Sequence, residues 1–208
     1  MKVVVLGATG GTGLEIVRQA IEHGHSVSAL VRSPEKLKPF ADRISVMQGD
    51  LLNGAEAARA MAGNDAVLSG FGPRLPVSKS DANLLERFAV TLARAMRQAG
   101  VKRVVVVSTA FLFKDSILPP AYLVGRLFFP GIVRDASAME QVLRQAEAEW
   151  TIVRPPQLTD KPRTGRYRLR EGHLPRFGFH ISRADVADCV IQAAEDRGSI
   201  GKILGVSN

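Results

Sequence analysis

The chain opens on an unbroken apolar run, Val3-Val4-Val5-Leu6, set between Lys2 and a glycine. A β-branched run without polar alternation predicts a strand buried on both faces, the kind found inside a parallel sheet. A helical pattern follows from about Gly11 to His23 and stops at Gly24, glycine being the usual residue just past a helix end. Further strands are expected at 27–31, 44–47, 66–68, 104–107, 150–153 and 203–206. Helical patterns fall between them at Gly54–Met61, 80–99, 135–148 and Arg183–Glu195; the second has Ser80 or Asp81 as its cap and Gly100 as its stop. Residues 155–181 read as loop-rich, with a short strand at 167–170. Strand and helix alternating at this spacing imply right-handed βαβ units. The fold class is therefore α/β, a Rossmann-type doubly wound parallel sheet with helices on both faces. No repeat or linker divides the chain, so residues 1–208 are expected to form one domain, its pocket shaped by loops at about 109–133 and 155–181.

Directly after the first strand stands Gly7-Ala8-Thr9-Gly10-Gly11-Thr12-Gly13, with glycines at 7, 10 and 13. Placed between a strand and a helix start, this spacing marks a dinucleotide-binding turn. Gly7 permits the tight turn, Gly10 lets backbone approach a pyrophosphate, and Gly13 lets helix pack on strand. The helix start, with Gly11, offers free N–H groups to phosphate, and the Thr9 and Thr12 hydroxyls add donors.

The second strand indicates which dinucleotide. An NAD-selective site carries a carboxylate about 20 residues past the glycines for the ribose 2′-OH. Here the strand ends in Arg32, 25 residues after Gly7, with no carboxylate before it. A guanidinium suits a 2′-phosphate and stacks on adenine, with Ser33 and Lys36 close by; the alternative is a plain solvated arginine. NADP(H) is the expected cofactor. After the third strand, Asp50 either accepts the adenine amino hydrogen, with Leu51 over a ring face, or caps the helix beginning near Asn53. After the fourth, Gly72 and Arg74 border the crevice at the carboxyl ends of the strands.

Composition adds limits. The 208 residues are 46% hydrophobic and 23% charged, as in ordinary globular proteins. The lone Cys189 excludes an internal disulfide and sits in an apolar helical pattern, which reads as a buried inert thiol in a reducing, cytoplasmic setting. No secretory signal or bilayer-spanning stretch is read. The net charge of +8 is scattered, without zinc-knuckle spacing or a helix-turn-helix, so an anionic cofactor and substrate explain it better than nucleic acid. The segment 121–133, broken by Gly125, Arg126, Pro130 and Gly131, reads as a pocket-covering loop or short helix, or else a membrane-surface element. No metal set is read: His23 and His25 flank Gly24 at a helix end, where dipole contacts explain them. His173 and His180 are loop residues, Trp150 is core, and Asp185 is a charge at a helix start.

With its glycine turn and Leu30-Val31-Arg32, the chain resembles the atypical, NAD(P)H-binding (NmrA-like) branch of the short-chain dehydrogenase/reductase superfamily. Within that branch it is similar to the flavin and biliverdin reductases. Further matching pieces are Gly49-Asp50, Asp65-Ala66-Val67, Gly72-Pro73-Arg74, Ala110-Phe111-Leu112, Pro119-Pro120, Pro155-Pro156 and residues 160–167. The resemblance implies hydride transfer from NADPH to a flat conjugated acceptor (a flavin, a biliverdin-like tetrapyrrole or a quinone) in a monomer or weak homodimer. It places Thr109 and Phe111 in the acceptor pocket, Pro155 beside the nicotinamide amide and Arg74 at the pocket mouth. Gln157 departs from the family, which has a histidine there. The segment 121–133, with Tyr122, Phe128 and Phe129, is longer than its counterpart and is expected to reshape the pocket wall, with Phe128 and Gln157 lining the pocket.

Alcohol-active members use a Tyr-x-x-x-Lys pair, but Tyr122 is followed at the fourth position by Arg126, and Tyr167 by Glu171. Tyr122 is thus either a general acid helped by Arg126 or an aromatic wall. Ser108 and Thr109, at the carboxyl end of the fifth strand, either bond a carbonyl or the carboxamide or satisfy strand-end backbone. Two functions follow: a reductase, or a non-catalytic NADP(H)-binding sensor or assembly protein. An epimerase is disfavoured by the short chain and the missing lysine.

Overall fold

The structure, a computed structural model, describes residues 1–73, 83–116 and 120–208. Its elements are β1 (Lys2–Leu6), α1 (Gly11–Glu22), β2 (Ser26–Val31), β3 (Ile44–Gln48), α2 (Gly54–Met61), β4 (Ala66–Ser69), α3 (Leu84–Ala99) and β5 (Arg103–Val107). There follow α4 (Ala121–Phe128), α5 (Pro130–Gln145), β6 (Glu149–Arg154), β7 (Gln157–Thr159), β8 (Arg168–Glu171), β9 (His180–Ser182), α6 (Arg183–Glu195) and β10 (Lys202–Ser207). The main sheet runs β3-β2-β1-β4-β5-β6-β10-β8, all parallel except β8, which pairs antiparallel to β10. This is the doubly wound Rossmann order, extended by two strands.

Alternation along β1 shows why both faces are covered. Val3 and Val5 pack under α1 and α6, while Val4 and Leu6 pack under α2, α3 and α5. All four are at most 1% exposed. Among the described residues no helix is long and apolar enough to cross a membrane.

Several boundaries differ from expectation for physical reasons. Residues 121–128 are helical, and α5 starts at Pro130 rather than Asp135, since proline at the first helical position lacks only an N–H that would find no partner there. It ends at Gln145, where Ala146 turns extended. The cap proposed for α3 lies outside the described residues, as do Ser80 and Asp81 themselves. α3 begins at Leu84, and its free amides are satisfied from another element: Asp135 accepts from Leu85 N at 2.9 Å and Glu86 N at 3.0 Å. β10 is inserted between β6 and β8, and the loop-rich region contains the parallel pair β7 and β9.

That region is held by two carboxylates of α6 with no solvent exposure, Asp185 and Asp188. Asp185 accepts from Thr164 N (2.8 Å), Thr164 Oγ1 (2.9 Å), Gly165 N (2.9 Å) and Asn208 Nδ2 (2.9 Å). Asp188 accepts from Tyr167 Oη (2.9 Å) and Gln192 Nε2 (2.7 Å) and pairs with Arg163. Burial would raise the Asp185 carboxyl, but the donors from Asn208, Gly165, Thr164 and Ser182 outweigh it and hold it below its ordinary value of 3.8. Cys189, next to Asp188, is 1% exposed, its thiol pushed up to about 12 by burial, which suits an inert core residue.

Asp185→Asn turns an amide toward donors. It is expected to cost about 1–3 kcal/mol in urea unfolding at neutral pH. A carboxyl depressed in the folded state stabilises above its unfolded value, and that contribution is lost as pH falls from 3.8 through the lower folded value. The gap between variant and parent should therefore narrow in acid and stay constant above it.

Candidate functional site

Winding reverses between β1 and β4, so the loops leaving their carboxyl ends diverge and open a crevice. Three glycines build its floor. Gly7 sits at φ +71°, where a Cβ would lie 2.7 Å from the backbone N and Cα of Phe71. A Cβ on Gly13 would lie 2.1 Å from the Gly7 carbonyl oxygen, and one on Gly70 3.0 Å from the Gly13 amide nitrogen. The first turn of α1 is thereby pressed onto the ends of β1 and β4. Gly10, which caps α1, supplies no side chain, and the first turn holds no acid. The result is an open, electropositive helix end. Gly11 is exposed, Thr9 half-buried and Thr12 buried at 6%.

Arg32, Ser33 and Lys36 lie together at the end of β2 and on the 3₁₀ turn Glu35–Phe40. All three are exposed, and among the described residues no carboxylate pairs with them. Asp50 is exposed, and its Oδ1 accepts from Leu52 N at 3.0 Å. The cap of α2 is Asn53, accepting from Ala55 N and Glu56 N, so the capping role considered for Asp50 falls to Asn53. Leu51 is half-buried against the core under α2 and α3. Gly72 is exposed with open space around it, and Arg74 lies outside the described residues. These residues fit a dinucleotide phosphate chain: a cradle that any Cβ would fill, beside uncommitted cations.

Across the crevice, Ser108 donates from Oγ to Glu140 Oε1 at 2.7 Å. Glu140 is 0% exposed and is gripped by Arg154, through Nε at 2.9 Å and Nη2 at 2.5 Å. Arg154 also donates to Leu112 O at 3.2 Å and lies 4.8 Å above the Phe113 ring. With its proton aimed inward, Ser108 presents only lone pairs to the crevice. Thr109 is the complement: its Oγ1 accepts from Phe111 N at 3.3 Å, and its proton has no acceptor among the described residues. Pro155 is buried, with its carbonyl accepting from Ala110 N at 2.9 Å.

The aromatic wall is arranged differently from the sequence reading. Phe128, expected in the pocket, is 72% exposed to solvent; the ring contact is made by Phe129, stacked on Phe111 with centroids 5.4 Å apart and planes 10° from parallel. Gly125 makes room, since a Cβ there would lie 2.5 Å from Phe111 Cβ. Tyr122 is half-buried on α4, and Gln157 is exposed at the start of β7. Segments 109–133 and 155–181 meet where Leu174 packs with Ala110, Phe113 and Ala121.

Two residues escaped the sequence reading. Arg183 lays its side chain over Gly11, where a Cβ would lie 2.7 Å from its Cδ, and pairs with Asp160 at 2.6 Å. It comes from the opposite end of the chain, which no local motif reveals. Glu140 did leave a signal: it falls on the buried face of α5 with Ala136, Met139 and Leu143. A charge in an apolar stripe calls for a buried partner.

A family model described as NAD(P)H-binding matches residues 7–197. An uncharacterized chloroplastic protein of Arabidopsis thaliana is 32% identical over 99% of this chain and 76% of its own length. The photosystem II assembly factor Ycf39 of Synechocystis is 34% identical over 52% of this chain and 33% of its own. Among solved structures, a candidate exported protein of Burkholderia pseudomallei superposes with TM-score 0.82 at 29% identity, covering all of both chains.

Glu140→Ala strands the buried Arg154 guanidinium without its counter-charge. It should cost about 3–5 kcal/mol, read as a lower urea midpoint, whereas Arg144→Ala on the exposed side of the same carboxylate should cost under about 1 kcal/mol.

Proposed function

The chain belongs to the NAD(P)H-binding family, and on that premise we propose that it is an NADPH-dependent oxidoreductase passing hydride to a flat conjugated acceptor of flavin, tetrapyrrole or quinone type. The observation that carries the choice of NADPH is the uncommitted trio Arg32, Ser33 and Lys36 beside the uncapped start of α1. A 2′-phosphate would supply the anion these side chains lack, while the first turn of α1 takes the diphosphate.

When bound, the cofactor supplies an electron pair as hydride from its nicotinamide, and the acceptor takes that hydride together with one proton. Every other contribution comes from the chain. Ser108, an acceptor only, suits the amide N–H of a nicotinamide carboxamide. Thr109, its proton unpartnered among the described residues, suits an acceptor carbonyl. The Phe111–Phe129 pair offers a flat face for stacking a ring. Among the described residues, neither tyrosine has a lysine four positions on, so proton delivery is assigned to solvent or Thr109. A ring that is already an electron sink needs no stronger acid, and catalysis then reduces to orientation and electrostatics.

A second reading, a non-catalytic NADP(H)-binding assembly or sensor protein, is favoured by the likeness to the Synechocystis assembly factor and by the engagement of the Ser108 hydroxyl within the protein.

Calorimetry should show tighter binding of NADPH than of NADH. Arg32→Ala should weaken NADPH about 10–100-fold, the worth of a hydrogen bond to a charged group, and leave NADH nearly unchanged. NADPH oxidation is then followed with FMN, biliverdin and simple quinones. Turnover with one of them supports the reductase; saturable NADPH binding with no turnover on any of them transfers the assignment to the second reading.

A further inference from the structure

The far side of the sheet, at the amino ends of the strands, carries a separate constellation. α1 closes on His23, turns at Gly24 with φ +75°, and enters β2 through His25. Backbone bonds from Gly24 N to Ile21 O (3.0 Å) and His25 N to Ala20 O (2.9 Å) lock this turn as a Schellman motif. Both imidazoles are thus set by one rigid corner. α6 ends at the same place and delivers Glu195, 172 residues from His23 along the chain.

Glu195 Oε1 lies 3.3 Å from His23 Nδ1 and 2.9 Å from His25 Nε2, and the three atoms lie within 4.8 Å of one another. The His25 side chain is only 7% exposed. Its Nδ1 lies 3.3 Å from the Met1 amino group, and its buried Nε2, turned toward the carboxylate, has no hydrogen-bond partner among the described residues. Its contact with Glu195 Oε1 at 2.9 Å is an ion pair, so the buried ring nitrogen and the carboxylate converge on one point that His23 Nδ1 also faces.

We propose that His23 Nδ1, His25 Nε2 and Glu195 Oε1 form a binding site for a divalent transition-metal ion of the Zn²⁺ class, with water completing the coordination. Tetrahedral ligands about 2.1 Å from zinc are roughly 3.4 Å apart. The two carboxylate–imidazole separations, 3.3 and 2.9 Å, lie just below that value, and the two imidazole nitrogens lie within 4.8 Å of each other. Two imidazoles and one carboxylate suit Zn²⁺ and its neighbours, whereas Ca²⁺ and Mg²⁺ call for more oxygen. The partial negative ends of α1 and α6 meet here and add to the attraction for a cation. Bound metal would clip the α1–β2 corner to the end of α6. This site is remote from the glycine cradle, so it does not depend on the cofactor assignment.

The test uses the full chain, stripped with chelator, and titrates ZnCl₂ by calorimetry, with bound Co²⁺ followed by its visible ligand-field absorption. One equivalent should bind saturably and raise the thermal unfolding midpoint. Glu195→Gln, His25→Gln and His23→Gln should each weaken binding at least about tenfold and abolish the thermal shift, with NADPH affinity unchanged. The exposed His23 gives a variant expected to fold even where replacement of the buried His25 does not. Absence of saturable binding in the parent chain overturns the proposal, and so does parent-like affinity in His23→Gln and Glu195→Gln.

Discussion

The contact on which the crevice depends is the approach of α1 to the end of β1, where the Gly13 Cα faces the Gly7 carbonyl so closely that a methyl group would sit 2.1 Å from the oxygen. That approach brings the uncapped first turn of the helix to the point where the sheet changes winding direction. Gly70 holds the same helix start from the β4 side. Three glycines from two strand ends and the first turn of α1 thus act as one joint. Its product is a concentration of unpaired N–H groups at a fixed place, which α1 could not present if it were a side chain's width further out.

Opposite this joint the chain spends charge below the surface rather than on it. The Ser108–Glu140–Arg154 chain runs from the crevice edge into the layer between α5 and β6, and it determines which way the Ser108 proton points. Buried ion pairs of this kind seldom add net stability over apolar packing, but they are unforgiving of alternatives and so specify one arrangement. Asp185 and Asp188 do the equivalent for residues 163–167, which have little apolar surface of their own.

Local chemistry made the core of this architecture legible in the sequence. Apolar runs such as residues 3–6 admit only a strand covered on both faces, and the glycine spacing between a strand and a helix has one common use. Gly24 and Gly100 marked helix ends correctly, both at positive φ. What stayed hidden was whatever one part of the chain supplies to another. Asp135 serving α3, Arg183 lying over Gly11, and Glu195 joining His23 and His25 all involve partners far apart in sequence. The choice of Phe129 over Phe128 for the wall was equally invisible. Two adjacent phenylalanines at a helix junction differ only in direction, and the backbone of Phe129, at φ −135°, decides it.

The remote capping of α3 has a consequence for how this protein can diversify. A helix that relies on its own preceding residue for a cap ties that loop to serine, threonine, aspartate or asparagine. Here Asp135 on α5 takes over that duty for Leu85 and Glu86. The residues leading into α3 are therefore released from the duty of capping it. Their composition can drift while the helix behind them keeps its anchorage.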